Sequence, residues 1–96
     1  MHVISRKKLR EFWELHPKAR PPLEAWFQIA KRAEWKSFAE VRQTFPKADR
    51  VGRFVVFDIG GNKYRLIVAI HFNRGKLYVR HVLTHAEYDE GKWKDG

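Results

Sequence analysis

Three runs of strand-forming residues in the second half of the chain constrain the fold more than any other feature. The runs are rich in β-branched and aromatic residues, and they read RFVVFDI (53–59), KYRLIVAIHF (63–72) and KLYVRHVLT (76–84). GGN and NRG separate them, and both are turn sequences because Gly and Asn tolerate the positive φ angles of tight hairpins. The pattern therefore predicts a three-stranded antiparallel meander.

The first part of the chain has helical periodicity instead. Apolar side chains recur every three or four residues in the segments 9–16 and 23–30, and prolines separate the two segments. Ser5 is the expected cap of the first helix, and Ser37 with Glu40 predicts a capping box that begins a third, shorter helix. With a strand candidate at MHVIS and a short C-terminal helix, this order predicts an α+β fold, with two to three helices packed on the sheet.

The two turns also predict a strand register. If Gly61 and Asn62 close the first hairpin, Asp58 lies opposite Arg65; if Arg74-Gly75 closes the second, Arg65 lies opposite Thr84. One face of the meander then suits packing on the helices, and it carries Val55, Phe57, Leu66, Val68, Ile70, Leu77, Val79 and Leu83. The other face combines polar and apolar groups, namely Asp58, Arg65, Tyr78, Arg80 and Thr84 with Val56, Ile67, Ala69 and Val82. Since charges are costly in the middle of a sheet unless they border a cleft or solvent, this second face is the expected site face.

The charge and composition limit the function. Residues 1–96 suffice for one domain, and 20 Lys and Arg against 11 Asp and Glu give a formal net charge of +9. Such a balance indicates nucleic acid, an acidic partner or an anionic surface. The absence of cysteine excludes disulfides, thiolate zinc sites and cysteine nucleophiles, and it suits a reducing cytoplasm. No segment resembles a secretory leader or a membrane span, so we expect no membrane association.

The segment VLTHAEYDEGKW (82–93) combines a helix start with chemically useful side chains. Thr84 and Glu87 predict a capping box, which makes His85 the first helical residue and places Tyr88 on the same side. Free amides and the positive end of the helix dipole favour a phosphate there, and Arg65 arrives from the neighbouring strand. With Asp89, these groups supply the base, acid and cation that cleavage of RNA by its own 2′-hydroxyl requires without a metal.

Each of these residues also has a structural interpretation. His85 can be a surface residue at a helix start, Tyr88 a packing anchor and Asp89 a solvated acid beside the dipole. Arg65 can form a structural pair with Asp58 inside an otherwise apolar strand. His81, His85 and Asp89 offer a zinc site in principle, but a strand followed by a helix does not bring three such ligands together readily.

These residues carry a resemblance to a known family, the HigB-type toxins of the RelE/ParE superfamily, in the branch that acts as mRNA interferases. The matching text is FDIGGNKYRLIVAIHF and KLYVRHVLTHAEYD, with MHVIS at the start and FPKAD before the meander. The resemblance covers nearly the whole chain. It implies the compact RelE-like fold and a metal-independent endoribonuclease that cuts mRNA, commonly on translating ribosomes.

The resemblance also implies residue roles and partners. Arg65 matches the arginine that contacts the scissile phosphate, His85 lies where the family places an active-site basic residue, and Tyr88 lies near a C-terminal tyrosine of several relatives. Lys63, Arg80 and Arg53 are the candidate RNA-contacting cations. The implied partners are mRNA and a HigA-type helix-turn-helix antitoxin, with operator DNA bound only by the toxin–antitoxin complex, and no cofactor is implied.

Two other functions are compatible with the same features. The charge alone would satisfy a non-catalytic nucleic-acid- or ribosome-binding module. The gyrase-inhibiting branch of the superfamily shares the fold and acts through protein contact. The predicted convergence of Arg65, His85 and Tyr88 favours the ribonuclease, because a pure binder needs cations and aromatic rings but no such combination.

Overall fold

The structure, a computed structural model, describes residues 1–95 as one α+β unit. The strands are β1 (His2–Ile4), β2 (Asp49–Val51), β3 (Phe54–Ile59), β4 (Tyr64–His71) and β5 (Lys76–Thr84). The helices are α1 (Lys7–Leu15), α2 (Arg20–Arg32), α3 (Phe38–Thr44) and α4 (His85–Glu90). Single 3₁₀ turns occupy Pro17–Ala19, Phe72–Arg74 and Lys92–Asp95.

The strands form one sheet in the order β1-β5-β4-β3-β2, and the predicted meander is its centre. Two short edge strands complete it. β2 pairs with β3 in the antiparallel sense, and β1 pairs with β5 in the parallel sense, which makes the sheet mixed. A parallel pair needs a long crossover, and the helices and the first strands of the meander provide it here. The predicted α+β fold is confirmed.

The first hairpin has the predicted register, and the second does not. Asp58 lies opposite Arg65 as expected. The expected two-residue loop at Arg74-Gly75 is wrong, because β4 and β5 end at the pair His71–Lys76 and four residues connect them. Phe72 begins a 3₁₀ turn in this loop, and Gly75 closes it at φ 64°, in the left-handed region that favours glycine.

A β-bulge changes the second half of β5. Val68 lies opposite Val79 but Ile67 lies opposite His81, so one extra residue, Arg80, is accommodated on β5. Because side chains alternate along a strand, an extra residue exchanges the two faces beyond it. Arg65 therefore lies opposite Leu83 rather than Thr84. The predicted faces of Val82 and Leu83 are wrong, because Val82 packs on the main core and Leu83 packs on the opposite face of the sheet.

The helices cover one face of the sheet and form the main core with it. Its largest fully buried side chains include Leu9, Leu23, Trp26, Phe57, Leu66 and Leu77. A smaller cluster lies on the opposite face, where the C-terminal segment folds back so that Trp93 covers Phe54, Val56 and Ile67. This second cluster is the floor on which the site is built.

The starts of α2, α3 and α4 lie where the sequence predicts them, but the predicted Ser37–Glu40 capping box is only half formed. The Ser37 hydroxyl accepts a bond from the Glu40 amide, and the prolines fall in the first turn of α2. The Glu40 carboxylate accepts from the amide of Lys36 rather than from that of Ser37. The expected Ser5 cap is wrong: Ser5 has φ 69°, and α1 begins after Arg6 without a side-chain cap. The Lys8 amide donates to the Ser5 carbonyl instead. No helix within residues 1–95 has the length and apolar character needed to cross a bilayer.

Candidate active site

Arg65 is the second residue of β4, the central strand of the sheet, and its side chain is only 11% exposed. Its Nε is 3.3 Å from the Asp58 carboxylate. Its Nη1 donates to the carbonyls of Asn62 and Tyr64 at 3.2 Å each, and its Nη2 donates to the Asn62 side chain. A guanidinium has five N–H donors, so these contacts hold the group in one orientation and still leave a donor for a phosphate.

Tyr88 lies against this guanidinium. The Arg65 Cζ is 5.4 Å from the centre of the Tyr88 ring, which is within cation–π range. The other side of the ring stacks on Trp93 at 5.1 Å, and the Trp93 indole donates to the Tyr88 carbonyl at 3.0 Å. Tyr88 is thus fixed by its neighbours, and Trp93 anchors the C-terminal segment on the sheet.

The phenol of Tyr88 is held in its protonated form. Burial raises the pKa of Tyr88 above its usual value, and the carboxylates of Asp49, Asp58 and Asp89 act in the same direction, while Arg65 opposes them. A protonated phenol near neutral pH can donate a hydrogen bond or a proton, but it cannot act as a base.

Arg65 and Tyr88 line an open cleft of about 360 Å³. The segment from α3 to β2 forms its opposite wall with Arg42, Lys47 and Asp49. Arg42 is held there by a 2.9 Å bond to the carbonyl of Pro46. Three cations around one cleft are suited to an oxyanion of a phosphodiester.

The capping box at the start of α4 is confirmed and positions the next pair. The Glu87 amide donates to the Thr84 hydroxyl at 3.2 Å, and the Thr84 amide donates to the Glu87 carboxylate at 2.9 Å. Helical spacing then places His85 one turn before Tyr88 on the same side of α4, and His85 is not among the residues that line the cleft. The His85 amide donates to the Lys63 carbonyl at 3.0 Å, which joins α4 to the first hairpin.

His85 and Asp89 form a pair, with Nδ1 of the imidazole 2.9 Å from the carboxylate. The two side chains are 45% and 59% exposed, so water can reach both. A carboxylate at Nδ1 favours the tautomer that carries its proton there, which leaves the lone pair of Nε2 free to accept a proton. The pair therefore fixes the orientation of the ring and the tautomer whose Nε2 can accept a proton.

The predicted RNA-contacting cations separate into two places. Arg53 and Arg80 line a second depression on the sheet, and Arg53 lies over the Phe54 ring at 5.0 Å. Lys63 is exposed in the turn before β4. The structure thus brings Arg65 and Tyr88 together with His85 and Asp89 beside them, and it places Arg53 and Arg80 further along the same face.

The zinc alternative has no support from the geometry. Within the described part of the chain, no group of three or more His, Asp or Glu residues is placed to hold a metal ion. His81 is on β5 opposite Ile67, whereas His85 and Asp89 are on α4. Burial lowers the pKa of His81, and Lys8 and Arg80 lower it further, which favours the neutral form.

Sequence reasoning missed the wall of the cleft that comes from α3 and β2. Arg42, Lys47 and Asp49 precede the meander, and no strand periodicity connects them with Arg65. The sequence signal for this wall is the basic, aromatic composition of VRQTFPK (41–47), which by itself indicates no more than part of the third helix. The sequence predicts a turn at Asn62, but the side chain and carbonyl of Asn62 also orient Arg65.

The comparisons with known proteins agree in one family. The sequence model of the HigB toxin family, described as the RelE-like toxic component of a toxin–antitoxin system, matches residues 19–91. The mRNA interferase HigB of Escherichia coli O6:H1 (strain CFT073) is 31% identical over 93 residues, which cover 94% of this chain and 90% of the relative. The mRNA interferase toxin HigB of Escherichia coli K12 and the mRNA interferase HigB of Shigella flexneri are each 32% identical over 92 residues, covering 93% and 88%. The chain belongs to the HigB family of RelE-like toxins.

Proposed function

We propose that this chain is the toxin of a type II toxin–antitoxin pair and that it cleaves mRNA as a metal-independent endoribonuclease. The observation that carries the proposal is the cleft in which a buried, oriented Arg65 faces a protonated Tyr88. The family membership and the names of the relatives support the same activity.

The reaction begins with the 2′-hydroxyl of the nucleotide on the 5′ side of the scissile bond. His85 Nε2 accepts its proton while Asp89 holds the imidazole through Nδ1. The 2′-oxygen attacks the adjacent phosphorus, and the P–O5′ bond breaks. This step leaves a 2′,3′-cyclic phosphate on one fragment and a 5′-hydroxyl on the other.

The cleft stabilises the charge that develops in this step. Arg65 directs its remaining donor at a non-bridging oxygen, and Arg42 and Lys47 add positive charge from the opposite wall. Tyr88 gives its proton to the leaving 5′-oxygen, since its phenol carries a proton and its ring lies beside the Arg65 guanidinium. Side-chain cations thus perform the charge stabilisation for which other nucleases use metal ions.

The partners follow from the same proposal. The substrate is mRNA in the cytoplasm, on translating ribosomes. A HigA-type antitoxin with a helix-turn-helix domain neutralises the toxin, and operator DNA is bound only by the complex of the two proteins.

The test is the mapping of cellular RNA ends after brief induction of the wild-type chain and of two variants, His85→Gln and Tyr88→Phe. The wild type should create new mRNA ends that carry 5′-hydroxyls, and both variants should lose them. Glu87→Ala is the matched control on the same helix, because its carboxylate accepts from the Thr84 amide and is not among the residues that line the cleft. Growth arrest without new mRNA ends would contradict the nuclease proposal and would favour a nucleic-acid-binding or gyrase-inhibiting toxin.

Cleavage by purified protein, with and without ribosomes, then tests the ribosome requirement. Activity on free RNA equal to that on ribosome-bound RNA would contradict this part of the proposal.

A further inference from the structure

A second depression of about 500 Å³ lies on the site face of the sheet, beside the cleft. β2 and the turn after it contribute Arg50 and Arg53, and β5 contributes Tyr78 and Arg80. Phe54 and the end of β4 at His71 complete its polar and aromatic lining. We call this depression the arginine groove.

The charge of the arginine groove has one sign. Its lining includes three arginines and no carboxylate. Within the part of the chain that the structure describes, none of the three guanidinium groups forms an ion pair with an acidic side chain. Arg50, Arg53 and Arg80 are all exposed, so a polyanion can reach them. Three unpaired guanidinium groups around one depression are suited to successive phosphates.

The groove also offers aromatic surfaces. The rings of His71 and Tyr78 meet edge to face with their centres 5.2 Å apart. His71 is exposed and Tyr78 is half-buried, so one ring is held by the sheet while its neighbour borders solvent. Aromatic rings among cations are what single-stranded nucleic acids require, because bases stack on rings and phosphates bind the cations.

The position of the groove connects it to the catalytic cleft. Phe54 lines the groove and Val56 lines the cleft, and these residues are two apart on β3, or roughly 7 Å along the strand. On β2, Asp49 belongs to the cleft and Arg50 to the groove. Trp93 joins the two depressions, because its ring contacts both Phe54 of the groove and Tyr88 of the cleft. A single RNA strand can therefore cross from one depression to the other.

We propose that the arginine groove binds a nucleotide of single-stranded RNA that flanks the scissile phosphate. Its base stacks on Tyr78 and His71, and the neighbouring phosphates bind Arg50, Arg53 and Arg80. That this strand is the substrate rests on the proposed function; that the groove binds single-stranded RNA does not.

The test measures the affinity of purified protein for a short fluorescent 2′-O-methyl RNA, which cannot be cleaved because its 2′-oxygens are blocked. Tyr78→Ala should weaken binding roughly 5- to 150-fold, the range for loss of one stacked base, while Tyr78→Phe should bind as the wild type does. The double variant Arg53→Gln with Arg80→Gln should bind at least about tenfold more weakly, and the slope of log affinity against log salt should fall by about 1–2.

Arg74→Gln is the matched control, since Arg74 is an exposed cation in the β4–β5 loop outside the groove lining. It should keep nearly wild-type affinity, and thermal melts should show that all variants are folded. Groove variants that bind the RNA as the wild type does would overturn the proposal. Groove variants that keep RNA affinity and lose antitoxin binding would also overturn it, because the groove would then be a protein-docking surface.

The outcome separates this inference from the proposed function. If the wild type cleaves RNA and the groove variants bind and cleave normally, only the groove assignment fails. If the wild type binds the RNA through the groove but no RNA is cleaved in cells or in vitro, the groove assignment stands and the nuclease fails.

Discussion

Replacement of Arg65 separates a catalytic arginine from a structural one. The guanidinium is buried in the sheet and paired with Asp58, so both roles have a physical basis. If its free donor stabilises the transition state, Arg65→Lys should lower cleavage about 10²- to 10³-fold. Lysine keeps the charge, but it lacks the planar fork that reaches Asp58 and both acceptors of Asn62 at once.

The effect on stability can be estimated from the contacts that Arg65→Ala removes. Three hydrogen bonds contribute about 0.5–1.5 kcal/mol each, and an ion pair with a partly exposed carboxylate adds about 0–1 kcal/mol. The expected loss is therefore roughly 2–5 kcal/mol of unfolding free energy. A domain of this size typically has about 5–15 kcal/mol, so the variant should still fold.

A variant with the same loss of stability but an intact cleft provides the control. Leu77 is fully buried in the main core, on the face of the sheet opposite the cleft. Leu77→Ala should cost about 2–5 kcal/mol and leave cleavage unchanged at a temperature where both variants are folded. The assay is cleavage of a labelled RNA, with urea unfolding in parallel. If cleavage falls equally in Leu77→Ala and Arg65→Ala, Arg65 is only a structural residue, paired with Asp58.

The remaining predictions concern residues of α4 and the proposal that cleavage needs no metal ion. Because the folded protein holds the Tyr88 proton more tightly than the unfolded chain, stability should fall as pH rises above about 10, and urea unfolding between pH 9 and 11 should show a smaller fall for Tyr88→Phe. Glu87→Ala should lower the unfolding free energy by about 0.5–1.5 kcal/mol through its lost cap bond, with cleavage kept; a loss of cleavage without a change in melting would give Glu87 a chemical role. Cleavage should persist in EDTA, because side-chain cations supply the positive charge, and restoration of a lost activity by zinc or magnesium would contradict this mechanism.

Local sequence rules predicted those parts of the fold that local interactions determine. The Gly61-Asn62 turn fixes the pairing of Asp58 with Arg65, because a short loop leaves little freedom in register. The Thr84–Glu87 capping box fixes the start of α4 in the same way. Both features involve residues close in sequence, and both position the site.

The bulge at Arg80 had no comparable signal. KLYVRHVLT reads as a regular strand, and no glycine marks the place where its alternation is interrupted. A bulge in such a strand depends on how both of its neighbours pack, which a single sequence does not display. Its effect is large, since it turns Val82 to the main core and Leu83 to the second cluster.

For a related reason, the sequence predicts the residues on one side of the cleft and not those on the other. Arg65 and Tyr88 come from the meander and from the helix after it, where register and helical spacing bring them together. Arg42 and Lys47 reach the cleft from the segment that joins α3 to β2, and that approach depends on tertiary packing. Local patterns can therefore predict the central residues of this site more readily than the charged wall that faces them.

The contacts that stabilise Arg65 inside the sheet also fix its orientation, which the proposed phosphate contact requires. Asp58 and Asn62 satisfy most of the buried guanidinium donors, and Tyr88 covers its face. Tyr88 in turn depends on Trp93, which stacks on its ring. A group held in place before the substrate arrives does not have to reorganise as charge develops, and this is the condition under which a fixed cation contributes most to catalysis. In the proposed mechanism the second cluster therefore serves catalysis as well as stability, because its Trp93 fixes Tyr88 beside the Arg65 guanidinium.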